Sequence, residues 1–344
     1  MILPVCWRSS WVVRSTDDAV NLRRALPLSL LFVCACHRQS APPASHRFRV
    51  ALITPGSVAD AAWNAGAYQG LQQIRDSLGA TISNIEAHTP AEQEEALRSY
   101  AAQGYNIVFG HGYEFQEPAE RVSHDFPAPV TVITSGQRVS GNVVPLVFRI
   151  HEATYLAGMI AGAMTRTGKI GFIGGMELPP IKLGYAGWLA GARAVRPDVQ
   201  SRIAYLNTFD DAAAGKEAAL AMIRAGVDQL HHNADAAALG VFSAAKESPG
   251  VFVYGANGDQ TSLAPDRVVA SAVVDLPRAM LLVSREIQRG GFVPHQESFG
   301  LASGVIRLAI NPALSAAWPA GLRERVQAAA DSISAGTLRI AAPQ

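Results

Sequence analysis

The chain has 344 residues, 49% of them hydrophobic and 17% charged, enough to bury one large or two medium cores. Its 29 basic and 28 acidic residues nearly cancel, so bulk charge gives no reason to expect nucleic acid or an anionic membrane surface as a partner. Cys6, Cys34 and Cys36 are its three cysteines, which excludes a disulfide, a zinc knuckle or a thiol nucleophile built from residues after Cys36.

The N-terminal stretch reads as a targeting segment. Arg23 and Arg24 precede an apolar run, residues 25–35, that is too short to span a bilayer as a mature helix. It closes on Val33-Cys34-Ala35-Cys36, which resembles a bacterial lipobox. That pattern predicts residues 1–36 as a lipoprotein signal peptide with Cys36 as the lipidated first residue of the mature chain. Asp17 and Asp18 make the stretch before the arginines unusual for such a signal and leave the translation start open. Residues 37–46, polar and interrupted by Pro42-Pro43, read as a tether that holds the folded body off the membrane.

From Phe48 onward short apolar runs alternate with amphipathic stretches. The first set predicts strand Phe48–Thr54, helix Trp63–Leu78, strand Thr81–Glu86, helix Ala91–Gln103, and strands Ile107–Phe109 and Val130–Ile133. The second predicts helix Ala153–Met164, strand Ile170–Ile173, helix Leu183–Val195, strand Arg202–Leu206, helix Ala212–Ala225, a strand near Val227–Leu230, helix Ala237–Lys246 and strand Val251–Tyr254. Such alternation argues for α/β architecture with parallel sheets covered by helices on both faces. Two sets, ending near residues 150 and 255, argue for two lobes, with a ligand held beyond the carboxyl ends of the strands. Loops rich in small or polar residues follow several of these strands, among them Gly110-His111-Gly112 and Gly255-Ala256-Asn257-Gly258-Asp259.

Signals for catalysis are weak. Gly162 to Lys169 has the wrong spacing for a phosphate loop, and Ile170 stands where Ser or Thr should hold magnesium. His231 and His232 are adjacent on a strand and point to opposite faces, which suits one packed and one cleft-lining histidine better than a shared metal. Asp210-Asp211 reads as a helix cap, and Glu92, Glu94 and Glu95 as a solvated helix face. No G-x-S-x-G elbow is present. No cofactor, metal or catalytic residue is expected.

Longer motifs carry a resemblance. The segment Phe148-Arg149-Ile150-His151-Glu152-Ala153-Thr154-Tyr155-Leu156-Ala157-Gly158 is followed by Thr165-Arg166-Thr167-Gly168-Lys169-Ile170-Gly171-Phe172-Ile173-Gly174-Gly175-Met176. Gly187-Trp188-Leu189-Ala190-Gly191 and a tail from Ile333 to Ile340 come after them. In this order they resemble the basic membrane protein (BMP) family of solute-binding lipoproteins, the purine-nucleoside receptor type, from about residue 48 to about 340. The resemblance implies a type I periplasmic-binding-protein fold, two doubly wound lobes joined by a multi-strand hinge. Residues 47–150 with about 258–290 would form lobe 1, and 151–257 with about 291–344 lobe 2. The chain would cross near 150, 257 and 290. It also implies small-molecule capture for an ABC permease and ATPase at the cell envelope, on the periplasmic or extracellular side, with the lipid anchor as the only membrane contact.

Carried over residue by residue, the family's ligand set is altered. Its S-F-N loop reads Ala62-Trp63-Asn64, and its G-x-G-F loop reads Gly110-His111-Gly112-Tyr113, so both aromatic positions persist. Asn257 replaces the Asp that would grip ribose hydroxyls, and the family's lysine aligns with Val274. Thr134-Ser135 replaces an expected Asp, His231 takes the second aromatic position, and Asn233 and Asp235 follow it. Asp259 and Gln260 match, with a hinge role as the alternative. The expected ligand residues are therefore Trp63, Asn64, Tyr113, Ser135, His231, Asn233, Asp235, Asn257 and Asp259, and the ligand is a purine nucleoside, a free nucleobase or a related heteroaromatic. A sensor module for a signalling partner and a nucleoside hydrolase are the competing readings. The hydrolase would need an acidic metal cluster or a nucleophile with its base, and the sequence offers neither.

Overall fold

The computed structural model describes residues 47–60 and 62–341. The signal segment, Cys36 and the tether lie outside them. Consecutive β-branched and apolar residues, buried on both faces, make the central strands, and polar caps and glycines divide them from the helices. The first part of the chain gives β1 (Arg49–Thr54), α1 (Trp63–Leu78), β2 (Thr81–Glu86), α2 (Pro90–Ala102), β3 (Ile107–His111), α3 (Gln116–Asp125), β4 (Val130–Thr134) and β5 (Val143–Phe148). Then follow α4 (Ile150–Met164), β6 (Lys169–Gly174), α5 (Pro179–Val195), β7 (Gln200–Tyr205), α6 (Ala212–Arg224), β8 (Gln229–Asn233), α7 (Ala238–Glu247), β9 (Phe252–Asn257) and β10 (Val268–Val274). Last come α8 (Leu276–Gln288), β11 (Glu297–Phe299), β12 (Ile306–Ile310), α9 (Pro312–Ser315) and α10 (Leu322–Ser334).

These build two six-stranded sheets, ordered β11-β5-β4-β3-β1-β2 and β12-β10-β9-β8-β6-β7. All pairs are parallel except β10 with β12. Each sheet carries an apolar core on either face, so both lobes are doubly wound, as expected. No helix among the described residues is long and apolar enough to cross a membrane.

The lobe boundaries differ from the expectation in the second half. β10 pairs with β9 and so belongs to the second sheet, while β11 pairs with β5 in the first. The chain therefore changes sheets at about 149, as expected, and then at about 275 and 300 rather than near 257 and 290. The reason is pairing: Val268–Val274 is buried at every position and reads equally well as a strand of either sheet until its partner is known.

Two of the crossings are clasped together. Arg149 Nε lies 3.1 Å from Glu152 Oε1, and Glu152 Oε2 accepts the Leu301 N–H at 2.7 Å. The Arg149 N–H donates to Phe299 O at 2.8 Å. The F-R-x-x-E motif thus pins the crossover near 150 to the one near 300. The T-R-T-G-K motif has a similar local cause. Asp228 accepts the Thr165 hydroxyl at 2.6 Å and the Arg166 N–H at 2.7 Å, fixing the turn into β6.

Candidate functional site

In each sheet the strand order reverses around one strand, β1 in the first and β6 in the second, and an open parallel sheet leaves a crevice at that point. The carboxyl ends of both sheets border one cavity, which with the solvent open to it encloses about 860 Å³ of space. From the first lobe it is lined by Pro55 and Gly56 after β1, Trp63 and Asn64 at the start of α1, Tyr113 and Glu114 after β3, and Ser135 after β4. The second lobe supplies Phe209 and Asp210 after β7, Asn233 and Asp235 at the end of β8, Asn257 at the end of β9 and Val274 at the end of β10. Beyond the cavity the lobes come close: a Cβ on Gly258 would stand 3.2 Å from that of Ala62.

Each wall has a supporting layer. The Trp63 ring stacks on His111 with centroids 4.3 Å apart, and Phe148 meets its edge at 6.3 Å. His111, fully buried, is held by Thr134 Oγ1 at 2.8 Å and by the Trp63 carbonyl at 3.1 Å. Asp60 accepts the N–H groups of Asn64 at 2.7 Å and Ala65 at 2.8 Å, so it caps α1 at the positive end of the helix dipole. Opposite, Asn257 Nδ2 donates to Asp235 Oδ1 at 3.1 Å and to Asn233 Oδ1 at 3.3 Å. Ser135 (φ 60°), Asp235 (φ 44°) and Asn257 (φ 66°) all hold left-handed backbone and all line the cavity. Strained non-glycine residues gather where geometry serves a site rather than stability.

Of the expected ligand residues, Trp63, Asn64, Tyr113, Ser135, Asn233, Asp235 and Asn257 are brought together here. Two are not. His231 is buried against Phe172, Trp188 and Tyr254, with Nδ1 2.8 Å from the Tyr254 carbonyl, so it faces the core. Nor does its neighbour reach the cleft: His232 packs on Phe242 and meets Gln260 Oε1 at 2.9 Å. The register of β8 places both histidines inside the strand, between two helical layers, and neither at its end. Asp259 is exposed and closes a local turn, accepting the Thr261 N–H at 3.1 Å and its hydroxyl at 2.7 Å. Gln260 instead ties the loop, accepting the Ala256 N–H at 2.9 Å.

Sequence reasoning missed Asp60, Glu114, Phe209 and Asp210 on the cavity wall. For Asp210 there was a signal to find. Asp211 alone caps α6, accepting from Ala213 and Ala214, which leaves Asp210 free to face the cleft.

Burial has opposite consequences for the two kinds of titrating group. It pushes His111 and His232 down to about 3 and His151 and His231 down to about 4, so all four are neutral in the folded chain at pH 7. It lifts Glu114 to about 7, and Asp235, repelled also by Asp60, to about 8. Between roughly pH 4.5 and 6.5 the unfolded chain takes up four histidine protons that the folded chain refuses, against two carboxyl protons held only when folded. Stability therefore rises with pH in that window. From about pH 6.5 to 8 the folded chain releases those two carboxyl protons, and stability falls. The thermal midpoint of the free protein is expected to peak near pH 6.5, with a flatter alkaline limb in Asp235→Asn. Melting curves from pH 5 to 8.5 check this, and a midpoint still climbing at pH 8 would contradict it.

The comparisons bear on what such a cleft belongs to. The family described as "ABC transporter substrate-binding protein PnrA-like", Bmp, matches residues 48–334. The chain belongs to the Bmp family. Basic membrane protein A1 of Borrelia garinii subsp. bavariensis is 30% identical over 278 residues, covering 77% of this chain and 80% of the relative. The ABC transporter nucleoside-binding protein BmpA of Lactococcus lactis subsp. cremoris is 30% identical over 262 residues, covering 71% and 74%. Among solved structures, an ABC transporter solute-binding protein from Aeropyrum pernix K1 superposes with a TM-score of 0.77 at 23% identity, covering 86% of this chain and 93% of its own. One from Conexibacter woesei gives 0.68 at 26%, covering 86% and 98%. The Bmp chain described here is thus an ABC-transporter substrate-binding protein with the type I periplasmic-binding fold, a role that implies a small-molecule ligand and a permease and an ATPase as partners.

Proposed function

We propose that this Bmp protein captures a purine-like base, free rather than as a standard nucleoside, and hands it to an ABC importer from the outer side of a membrane to which Cys36 anchors it. The observation that carries the reading is the cavity itself: aromatic Trp63, Tyr113 and Phe209 beside amide and carboxylate edges, with Asn257 and Val274 where the family's ribose-gripping Asp and Lys would stand. Flat rings stack on aromatic faces, and polar edges fix their orientation. The Lactococcus relative carries a nucleoside-binding name, which supports the ligand class. Contacts from both lobes favour the closed state over the open one, and no bond is made or broken.

A thermal-shift screen tests it. At about 100 times its Kd, a ligand bound only by the folded state adds about 2.7 kcal/mol, a rise of roughly 5 to 10 °C. Hypoxanthine, adenine or xanthine should raise the midpoint of the purified protein more than inosine or adenosine does. Tighter binding of the nucleosides would sink the free-base reading. Response to sugars or amino acids alone would sink the purine class.

A further inference from the structure

The cavity is strongly unbalanced in its titratable groups. Asp60, Glu114, Asp210 and Asp235 line it, and no Lys, Arg or His among the described residues does. Asp60 is answered by the N–H groups of α1. Asp235 receives only a neutral amide, Asn257 Nδ2. Glu114, Asp210 and Asp235 have no basic partner on the wall. At the one wall position where the resemblance implied a cation, the residue is Val274.

An independent observation points to the same ligand chemistry. Asn64 lines the cavity, is 6% exposed, and its buried Oδ1 has no hydrogen-bond partner. A buried acceptor left unpaired is costly, and a ligand N–H is what satisfies it. The cavity thus presents acceptors from both lobes: the Asn64 carbonyl and Glu114 on one side, Asp235 and Asp210 on the other. With no cation beside them, Glu114 and Asp235 keep their protons up to about pH 7 and 8, and a cationic N–H edge would draw them into the charged form while supplying the donors they then accept.

We infer that the preferred ligand of this cleft is a flat heteroaromatic cation, an amidinium-like or protonated amino-heterocycle, whose ring stacks at Trp63 and whose N–H edge faces Asp235, Glu114 and the Asn64 carbonyl. The inference rests on the proposed purine-like reading of the same cavity and narrows it to the charged members of the class. It also accounts for the lost lysine, since a fixed cation on the wall would repel this ligand.

Titration calorimetry at pH 7 with two matched pairs tests it. One pair is 1,9-dimethyladenine, a cation at neutral pH, and its neutral isomer N6,9-dimethyladenine. The other is benzamidine and its neutral isostere benzamide. Binding of the cationic purine at least tenfold tighter than its isomer supports the inference together with the purine reading. Equal or weaker binding of the cation overturns the inference and leaves the purine reading standing. If only benzamidine binds, the charge inference stands and the purine reading falls. Silence from all four compounds overturns the inference. Asp235→Asn keeps the side-chain shape and suits the left-handed φ of 44°, so it should fold. It should cut the preference for the cation to below threefold. A preference that survives in both Asp235→Asn and Glu114→Gln would overturn the assignment of the charge to this wall.

Discussion

Gly191→Ala should destabilise the second lobe by about 3 kcal/mol or more, lowering the melting midpoint by roughly 6 to 12 °C. Helices α4 and α5 cross with almost no separation, glycine against backbone in both directions. A Cβ on Gly191 would drive into the Tyr155 carbonyl and come within 3.0 Å of the Tyr155 Cα. A Cβ on Gly158 would strike the Trp188 carbonyl and stand 3.0 Å from the Ala192 nitrogen. Because the obstacles are main chain, no rotamer change relieves them and the helices must part. Parting them opens the layer that holds Trp188, fully buried against His231 and Tyr254. Gly184→Ala in the same helix is the control. Its nearest neighbours would be side chains 3.9 Å away, and the better helix former should be neutral or stabilising by up to about 1 kcal/mol. Urea unfolding of the three proteins decides the matter, and a Gly191→Ala midpoint equal to that of Gly184→Ala would refute the packing argument.

Trp63→Ala should weaken ligand binding by roughly 30- to 100-fold, the loss of about 2 to 3 kcal/mol that follows removal of a large aromatic anchor. The indole borders the cavity and is held on His111 and Phe148, so its orientation is set before ligand arrives. Trp63 also packs against the first-lobe core, and truncation will cost some stability. Calorimetry on the folded variant separates the two effects. Trp63→Phe keeps an aromatic face and should recover most of the affinity. If alanine and phenylalanine bind ligand equally well, the ring does not stack on it.

Much of the fold was legible because its signals are local. Alternating apolar runs and amphipathic stretches put most early strands and helices within a few residues of their observed bounds, and the Phe148–Gly158 and Thr165–Met176 motifs identified the family. Both motifs do structural work near the chain's crossings and turns, through Glu152 and Asp228, and the first also puts Phe148 and Ile150 on the cavity wall. Seven of the expected ligand residues converge because they follow strand ends, where a parallel sheet always presents its loops.

The misses share a cause. His231 lies two residues before Asn233, the β8 residue that reaches the cleft, and β8 begins two residues later than its apolar run suggested, since Val227 and Asp228 precede the first ladder pair. Asp60, Glu114 and Asp210 belong to loops far apart in sequence, and each alone looks like a cap or a solvated acid. Residue order and composition were enough to determine two parallel-sheet lobes, the strand-end loops and the family. Which sheet claims β10 and β11, which histidines turn inward, and that three lone acids from two lobes border one cavity with no cation among the described residues were decided only in three dimensions. Strand pairing and the meeting of two lobes are long-range events that leave no periodic trace along the chain.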